Sequence, residues 1–405
     1  MERYQEYKDS GEQWLGEIPS HWEVKRLGSY FNERKSKVSD KDYAPLSVTK
    51  KGILPQLENV AKSNDSDNRK QVCAGDFVIN SRSDRKGSSG VSLLEGSVSL
   101  INIVLQPRKS IYSPFCNYLL KSNAFIEEYY RNGRGIVADL WTTRYDEMKS
   151  IKLAMPPLSE QAAIVTYLDR VTAQIDKAIA QQQRMIDLLN ERKQIIIQHA
   201  VTKGLDPNAE MVDSVVEWCD QIPASWNVRR LRYLCKIKTG DKDTIMREDE
   251  GLYPFFVRSP KVERIDSYTF DTEAILMSGD GAGAGRIFHY YKGKFGCHQR
   301  VYCFHNFSKD IYPQFLYYQL SEKFKEVFLG QTAKSTVDSV RLLMLKDFQI
   351  IFPTLAEQRN IVEHIKKTIK PIEKLIVLSE QKINSLRERK QIIINEVVTG
   401  KVKVS

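Results

Sequence analysis

Seven residues, Glu191-Arg192-Lys193-Gln194-Ile195-Ile196-Ile197, return unchanged as Glu388 to Ile394, 197 positions later. Each copy closes a long segment with helical periodicity. Each segment also opens on a related phrase, Pro157-Leu158-Ser159-Glu160-Gln161 in the first half and Thr354-Leu355-Ala356-Glu357-Gln358 in the second. The spacing is again 197, so the two segments align without a gap. A repeat on this scale constrains the architecture before any local propensity does. It is too long for a solenoid unit and describes two half-molecules in tandem.

A second match lies upstream. Trp14, Ile18, Pro19, Trp22, Val24, Arg26 and Leu27 recur as Trp218, Ile222, Pro223, Trp226, Val228, Arg230 and Leu231, at a spacing of 204. The halves therefore agree at their ends and diverge between, where the second is seven residues shorter. Within the repeated segments, Ile164, Leu168, Val171, Ile175, Ile179, Ile186 and Leu189 step mostly by threes and fours. Ile361, Ile365, Ile372, Ile376, Ile383, Leu386 and Ile393 keep the same heptad spacing in steps of three, four and seven. A narrow apolar stripe sustained over several heptads argues for a coiled coil. Helices over 158–203 and 355–399 would each make a rod of about 65 Å. Acidic Glu160 and Glu357 suit the positive end of the helix dipole, and Gly204 and Gly400 suit its stop. Two equal helices with matching seams most simply pack on each other; the plainer alternative is that they tether two unrelated domains.

The middles, 23–156 and 227–353, read as mixed α+β globules of ordinary domain size. In the first, Phe77 to Ile79 and Val98 to Leu105 are strand candidates, and Pro114 to Tyr130 has helical spacing. In the second, Ala274 to Ser278, Arg286 to Tyr291 and Gly296 to Phe304 read as strands and Tyr312 to Phe328 as a helix. The Gly/Ser-rich basic stretch Ser81 to Gly90 and the stretch Arg131 to Gly135 read as exposed loops. The glycine run Gly279 to Gly285 reads as a loop too, with Gln331 to Thr336 matching the loop at Asn132. The expected domains are 1–156, 157–204, 205–353 and 354–405: a recognition domain, a long helix, a second recognition domain, and a second long helix with a tail.

The chain carries 61 Lys and Arg against 51 Asp and Glu, a formal charge of +10, which favours a polyanionic partner with nucleic acid first. No apolar run reaches the roughly 20 residues of a membrane span. The polar N-terminus has no secretory h-region, and the six scattered cysteines read as reduced thiols of a cytoplasmic protein.

Catalytic signatures are missing. Thr399-Gly400-Lys401 lacks the upstream glycine of a phosphate-binding loop, and Gly281 to Gly285 departs from a dinucleotide fingerprint at its third glycine. No HExxH and no methyltransferase Asn-Pro-Pro-aromatic motif is present. Cys297, Cys303 and His305 would share one face of an extended strand but span about 25 Å, so buried thiols are the expectation and a metal is not. Basic and polar loop residues remain: Arg82, Ser83, Lys86 and Arg134 in the first globule, and Arg258, Lys261, Arg286, His298, Gln299, Arg300 and Lys334 in the second. Arg and Lys anchor phosphates, while Arg and Gln also read base edges. For any one of them a solvated surface charge is the default; Gln299-Arg300 beside His298 is the preferred base-reading candidate.

Trp-x3-Ile-Pro-x2-Trp-x-Val-x-Arg-Leu, a variable globule, Pro-Pro-Leu-Ser-Glu-Gln, a long helix and Glu-Arg-Lys-Gln-Ile-Ile-Ile, all repeated, resemble the DNA-specificity subunit of type I restriction-modification systems. The resemblance spans essentially the whole chain; Thr354, where a proline is expected, is its departure. It implies two α/β target recognition domains in tandem, each reading one half of a bipartite site. It also implies that the long helices pair as an antiparallel coiled-coil spacer. The subunit catalyses nothing and binds no cofactor. Two methyltransferase subunits bring S-adenosylmethionine for adenine N6 methylation, and two nuclease subunits using ATP and Mg can join. Glu160, Gln161, Glu191, Arg192, Glu357, Gln358, Glu388 and Arg389 are the expected contacts to these partners. The rival readings are a self-contained nuclease or methyltransferase, against which the missing motifs count, and a basic coiled-coil adaptor that binds DNA without sequence preference.

Overall fold

The computed structural model describes residues 2–56, 67–135, 141–332 and 339–404. The chain forms two compact lobes. The first comprises residues 1–182 with 381–405, the second residues 183–380. Each lobe thus takes one part of both long helices, Leu158–Lys203 and Leu355–Val398. The predicted helix ends hold closely. Gly204 and Gly400 both sit at φ +75, the left-handed conformation that glycine adopts without strain. At the second end the Gly400 amide donates to Val397 and the Lys401 amide to Glu396, which occupies carbonyls the helix itself cannot satisfy. Pro371 lies on an exposed helical position and leaves one backbone bond unmade.

In the first lobe a four-stranded antiparallel sheet runs in the order Ser89–Val91, Phe77–Asn80, Asn102–Pro107, Phe31–Glu33. A three-stranded sheet runs Gly96–Val98, Arg69–Val72, Lys37–Val38. The expected strand over 98–105 is therefore two strands in two different sheets, separated by a turn at Ser99 to Ile101. The single helix expected over 114–130 is also two, Ser113–Leu120 and Asn123–Arg131. Ser122 causes the break: its hydroxyl accepts the Phe125 amide and starts a new helix. Both helices put their apolar faces (Phe115, Leu119, Phe125, Tyr129) into one core with Trp22, Phe31 and Ile103.

The second lobe has a six-stranded sheet in the order Lys236–Thr239, Val301–His305, Phe270–Ser278, Phe288–Cys297, Tyr253–Phe256, Glu263–Ile265. All its pairs are antiparallel except Tyr253–Phe256 with Phe288–Cys297. The strand expected over 296–304 is broken, because the chain reverses at His298 to Arg300. Pro313–Thr332 packs Phe315, Leu320 and Phe324 under the sheet, with Ile275 and Phe304.

The sequence repeat is visible as matching structure in the two lobes. The hairpin Tyr7–Asp9 with Glu17–Pro19 has its counterpart in Met211–Asp213 with Gln221–Pro223. Glu23–Arg26 pairs with Lys152–Met155, and Asn227–Arg230 with Gln349–Phe352. In each case the returning strand leads directly into a long helix.

Helix segments also meet within each lobe. Ile164, Leu168 and Ile175 share the first core with Ile393, Ile394 and Val397, and Lys390 donates to Asp176 at 2.7 Å. Ile197, Ala200 and Val201 share the second core with Ile361, Ile365 and Ile369, and Lys193 pairs with Glu373. The repeated phrase thus has a physical role: its lysine bridges to the other helix and its last isoleucine, Ile197 or Ile394, is buried.

Candidate nucleic-acid interface

Four of the residues singled out from the sequence come together in the first lobe. A short segment, Trp141 to Thr143, ties their loops. The Ser83 amide donates to the Trp141 carbonyl at 3.1 Å, and the Arg134 and Thr142 backbones exchange two hydrogen bonds of 2.9 Å. Arg82 bridges to the same Thr142. Trp141 is fixed in turn by its indole N–H, which donates to the Tyr130 carbonyl at 2.8 Å. Lys86 lies over the Tyr130 ring, 4.5 Å from its centroid, and reaches Glu127 at 2.7 Å. Arg134 projects furthest, with its side chain 84% exposed beside Glu147 at 3.6 Å. Arg82 is also exposed. The result is a braced basic loop cluster.

The second lobe gathers a comparable cluster at one end of its large sheet. Arg258 and Arg300 both reach Asp280, at 2.9 and 3.2 Å. Gln299 donates to Asp243 at 3.0 Å, and the Asp243 carboxylate also caps the turn Thr244–Met246 through the Ile245 amide. Lys261 is exposed beside Glu263 at 3.6 Å. Arg286 is exposed just after the glycine turn Gly281–Gly283. Lys334 lies outside the described residues.

His298 is a correction. It is 3% exposed, and its Nδ1 accepts the Arg300 amide at 3.0 Å. Burial, and then the Arg258 charge, push its pKa down, so the ring stays neutral. It shapes the turn that presents Gln299 and Arg300 and does not reach outward. The strand carrying the two cysteines also differs from the extended run expected. The reversal at 298–300 folds the chain back and brings Cys297 and Cys303 into one buried apolar cluster, so the extended span of about 25 Å from Cys297 to His305 does not exist. Burial raises both thiols, Cys303 to about 12, so they pack as neutral side chains. Among the described residues no three His, Cys, Asp or Glu side chains form a metal-binding group.

Two of the expected partner contacts are interior. Gln161 and Gln358 are 2% and 0% exposed. The Gln161 amide accepts the Tyr112 N–H at 2.9 Å and donates to Pro156 at 2.9 Å. Gln358 accepts the Tyr312 N–H at 2.7 Å and donates to Asp310 and Pro353 at 2.8 and 2.9 Å. The glutamates beside them take the indole N–H of the repeated tryptophans: Trp22 donates to Glu160 and Trp226 to Glu357, each at 3.1 Å. Glu160 also accepts the Tyr4 hydroxyl at 2.6 Å. The repeated Glu-Gln is therefore a clasp that fastens each globule to the start of its own long helix. Glu191, Arg192, Glu388 and Arg389 are exposed on the long helices.

Sequence reasoning missed Asp243, Asp280, Trp141 and Thr142. The two aspartates were passed over because basic charge was the criterion. Pairing an acid with arginines that lie 20 or more positions away needs the sheet topology.

Comparison with known proteins now bears on this geometry. The sequence model of a family described as the type I restriction modification DNA specificity domain matches residues 223–387. The type I restriction enzyme EcoDI specificity subunit of Escherichia coli is 28% identical over 182 residues, 45% of this chain and 40% of that protein. The aligned stretch thus spans under half of that relative. The MjaVIII specificity subunit of Methanocaldococcus jannaschii is 24% identical over 420 residues, covering 96% of this chain and 94% of its own. A solved chain from work on complex assembly and conformational transition of the type I R-M system superposes with a TM-score of 0.70 at 16% identity. It covers 95% of this chain and 99% of that one, which establishes a shared fold. The family resemblance read from the repeats is borne out.

Proposed function

We propose that this chain, similar along its length to type I restriction-modification specificity subunits, is the non-catalytic DNA-reading subunit of such a complex. Each lobe reads one half of a bipartite site in double-stranded DNA. The long helices pair as an antiparallel coiled-coil spacer, and their exposed faces, with Glu191, Arg192, Glu388 and Arg389, dock two methyltransferase subunits. Those partners supply S-adenosylmethionine and methylate adenine N6. Nuclease subunits using ATP and Mg join in systems that also cleave. The work is cytoplasmic, where chromosomal DNA is reached.

The observation that carries this reading is the pair of braced basic loop clusters, one in each lobe, each lobe clasped to a long helix by the same Glu-Gln device. Phosphate contacts supply affinity and register, but only base-edge contacts carry sequence information. A cluster in which Arg, Gln and Lys are held by neighbouring carboxylates and backbone fits reading better than a diffuse positive face.

The rival is a basic adaptor with no sequence preference, and competition binding separates the two. The full chain, assembled with its methyltransferase, is bound to labelled genomic fragments and challenged with synthetic polyanionic DNA at rising salt. A reader retains a subset of fragments when competitor has stripped the rest. Uniform loss of all fragments, along one line of log affinity against log salt, would reject the reading in favour of the adaptor.

A further inference from the structure

We infer that Asp280 is a positioning residue that sets Arg258 and Arg300 as a two-pronged reader of guanine in the half-site taken by the second lobe. The inference rests on the proposed DNA-reading function and goes beyond it by naming the base and the residue that prepares its readers.

The carboxylate of Asp280 is shared. Its Oδ1 accepts Arg258 Nη1 at 2.9 Å and its Oδ2 lies 3.2 Å from Arg300 Nη1. The acid is mostly covered, at 17% exposure, while the arginines are 46% and 63% exposed. Each carboxylate oxygen thus has its own arginine partner. The loops that carry the three groups are joined by backbone as well. The Gly279 amide donates to the Arg300 carbonyl at 2.9 Å, the Val340 amide donates to the Gly279 carbonyl at 2.8 Å, and Asp280 bridges to Ser339. Gly281, at φ +71, turns the chain beside Arg258: a Cβ there would lie 3.8 Å from Arg258 Nη1, an ordinary contact distance. The His298 turn holds the backbone of the second.

Ion pairs made by arginines this exposed are screened by solvent and contribute little to stability, so two arginines on one acid are poorly explained as a fold device. A guanidinium carries five donors in a rigid fork. Asp280 engages one Nη of each, which leaves further donors on both part-exposed forks. Such a donor pair matches the O6 and N7 acceptors of guanine, the commonest specific arginine contact in the major groove. Holding long side chains in one geometry before DNA arrives lowers the ordering cost of binding. Two positive charges on one negative one leave the cluster net positive, as a groove-facing surface requires.

The test uses the full chain with its methyltransferase on duplexes carrying its own motif, with each base of both half-sites varied in turn. Arg258→Ala and Arg300→Ala are each expected to relax a guanine position in one half-site by roughly 10-fold or more. Asp280→Asn, which keeps the shape, is expected to relax the same positions. It should leave non-specific affinity equal or higher, because a negative charge is gone. The other half-site serves as the folding control and should read unchanged. Replacing the implicated guanines by 7-deazaguanine should weaken the parent protein and leave the arginine variants indifferent. The inference is overturned if Asp280→Asn keeps full guanine discrimination, if that half-site contains no guanine, or if the variant loses both half-sites together. A parent protein with no sequence preference would instead sink the function proposal itself.

Discussion

At the residue scale, the repeated Glu-Gln shows how a motif can be legible while its role is not. Its recurrence is plain in the sequence, but its partners are the Tyr112 and Tyr312 amides, far away along the chain. An exposed docking contact and a buried clasp look the same in one dimension. Their energetics differ. Gln358→Ala strands a buried N–H and two buried carbonyls, and should cost roughly 3 kcal/mol, read as a clear fall in melting temperature. Glu191→Ala and Arg192→Ala should change stability by no more than about 0.5 kcal/mol, while weakening capture of the methyltransferase in a pull-down. Equal melting of the Gln358 and Glu191 variants would contradict the clasp. Gly400→Ala belongs with the damaging changes. It forces an L side chain into the left-handed region, and its Cβ would lie 2.3 Å from the Pro19 ring.

At the element scale, the long helices were legible because 3.6-residue periodicity persists for over 40 residues and glycine ends both. Short elements were not. A hydroxyl at Ser122 split one predicted helix, and a turn at Ser99 to Ile101, which exposes the apolar Leu100 and Ile101, split one predicted strand without breaking the local apolar pattern. The helices also make a length prediction. Removing one heptad from each should shorten the rod by about 10 Å and the preferred gap between half-sites by about three base pairs. Methylome sequencing of the variant would contradict the ruler if the gap stayed the same. The second lobe's sheet makes a pH prediction. His289, His298 and His305 are all pushed below the ordinary 6.5, in each case chiefly by burial. The folded lobe then binds fewer protons than the unfolded chain at mildly acid pH, so stability rises with pH there. The contribution is complete above the unfolded value and is lost as pH falls through it toward the lowered folded values. Melting temperature should drop between neutral pH and about pH 5, and His305→Asn should flatten part of that drop. An unchanged midpoint would contradict the burial of these rings.

At the scale of the whole molecule, the tandem repeat and the +10 charge already pointed to two similar halves and a polyanionic partner. No helix among the described residues is long and apolar enough to cross a membrane. The candidate site was legible only as a set of basic loops. Which residues meet, and that Asp280 and Asp243 organise them, depends on strands distant in sequence and could not be read from spacing. The repeat fits the proposed division of labour: its matching ends build the clasps and helices, and its divergent middles carry the loops assigned to reading. The central claim is that this chain gives a methyltransferase its target sequence. Single-molecule methylome sequencing of a host carrying the methyltransferase, with and without this chain, tests it directly. The account predicts a bipartite N6-methyladenine motif, two short specific halves around an unspecified gap, present only when the chain is expressed. The same methylation pattern in both hosts, with the partner demonstrably active, would contradict it.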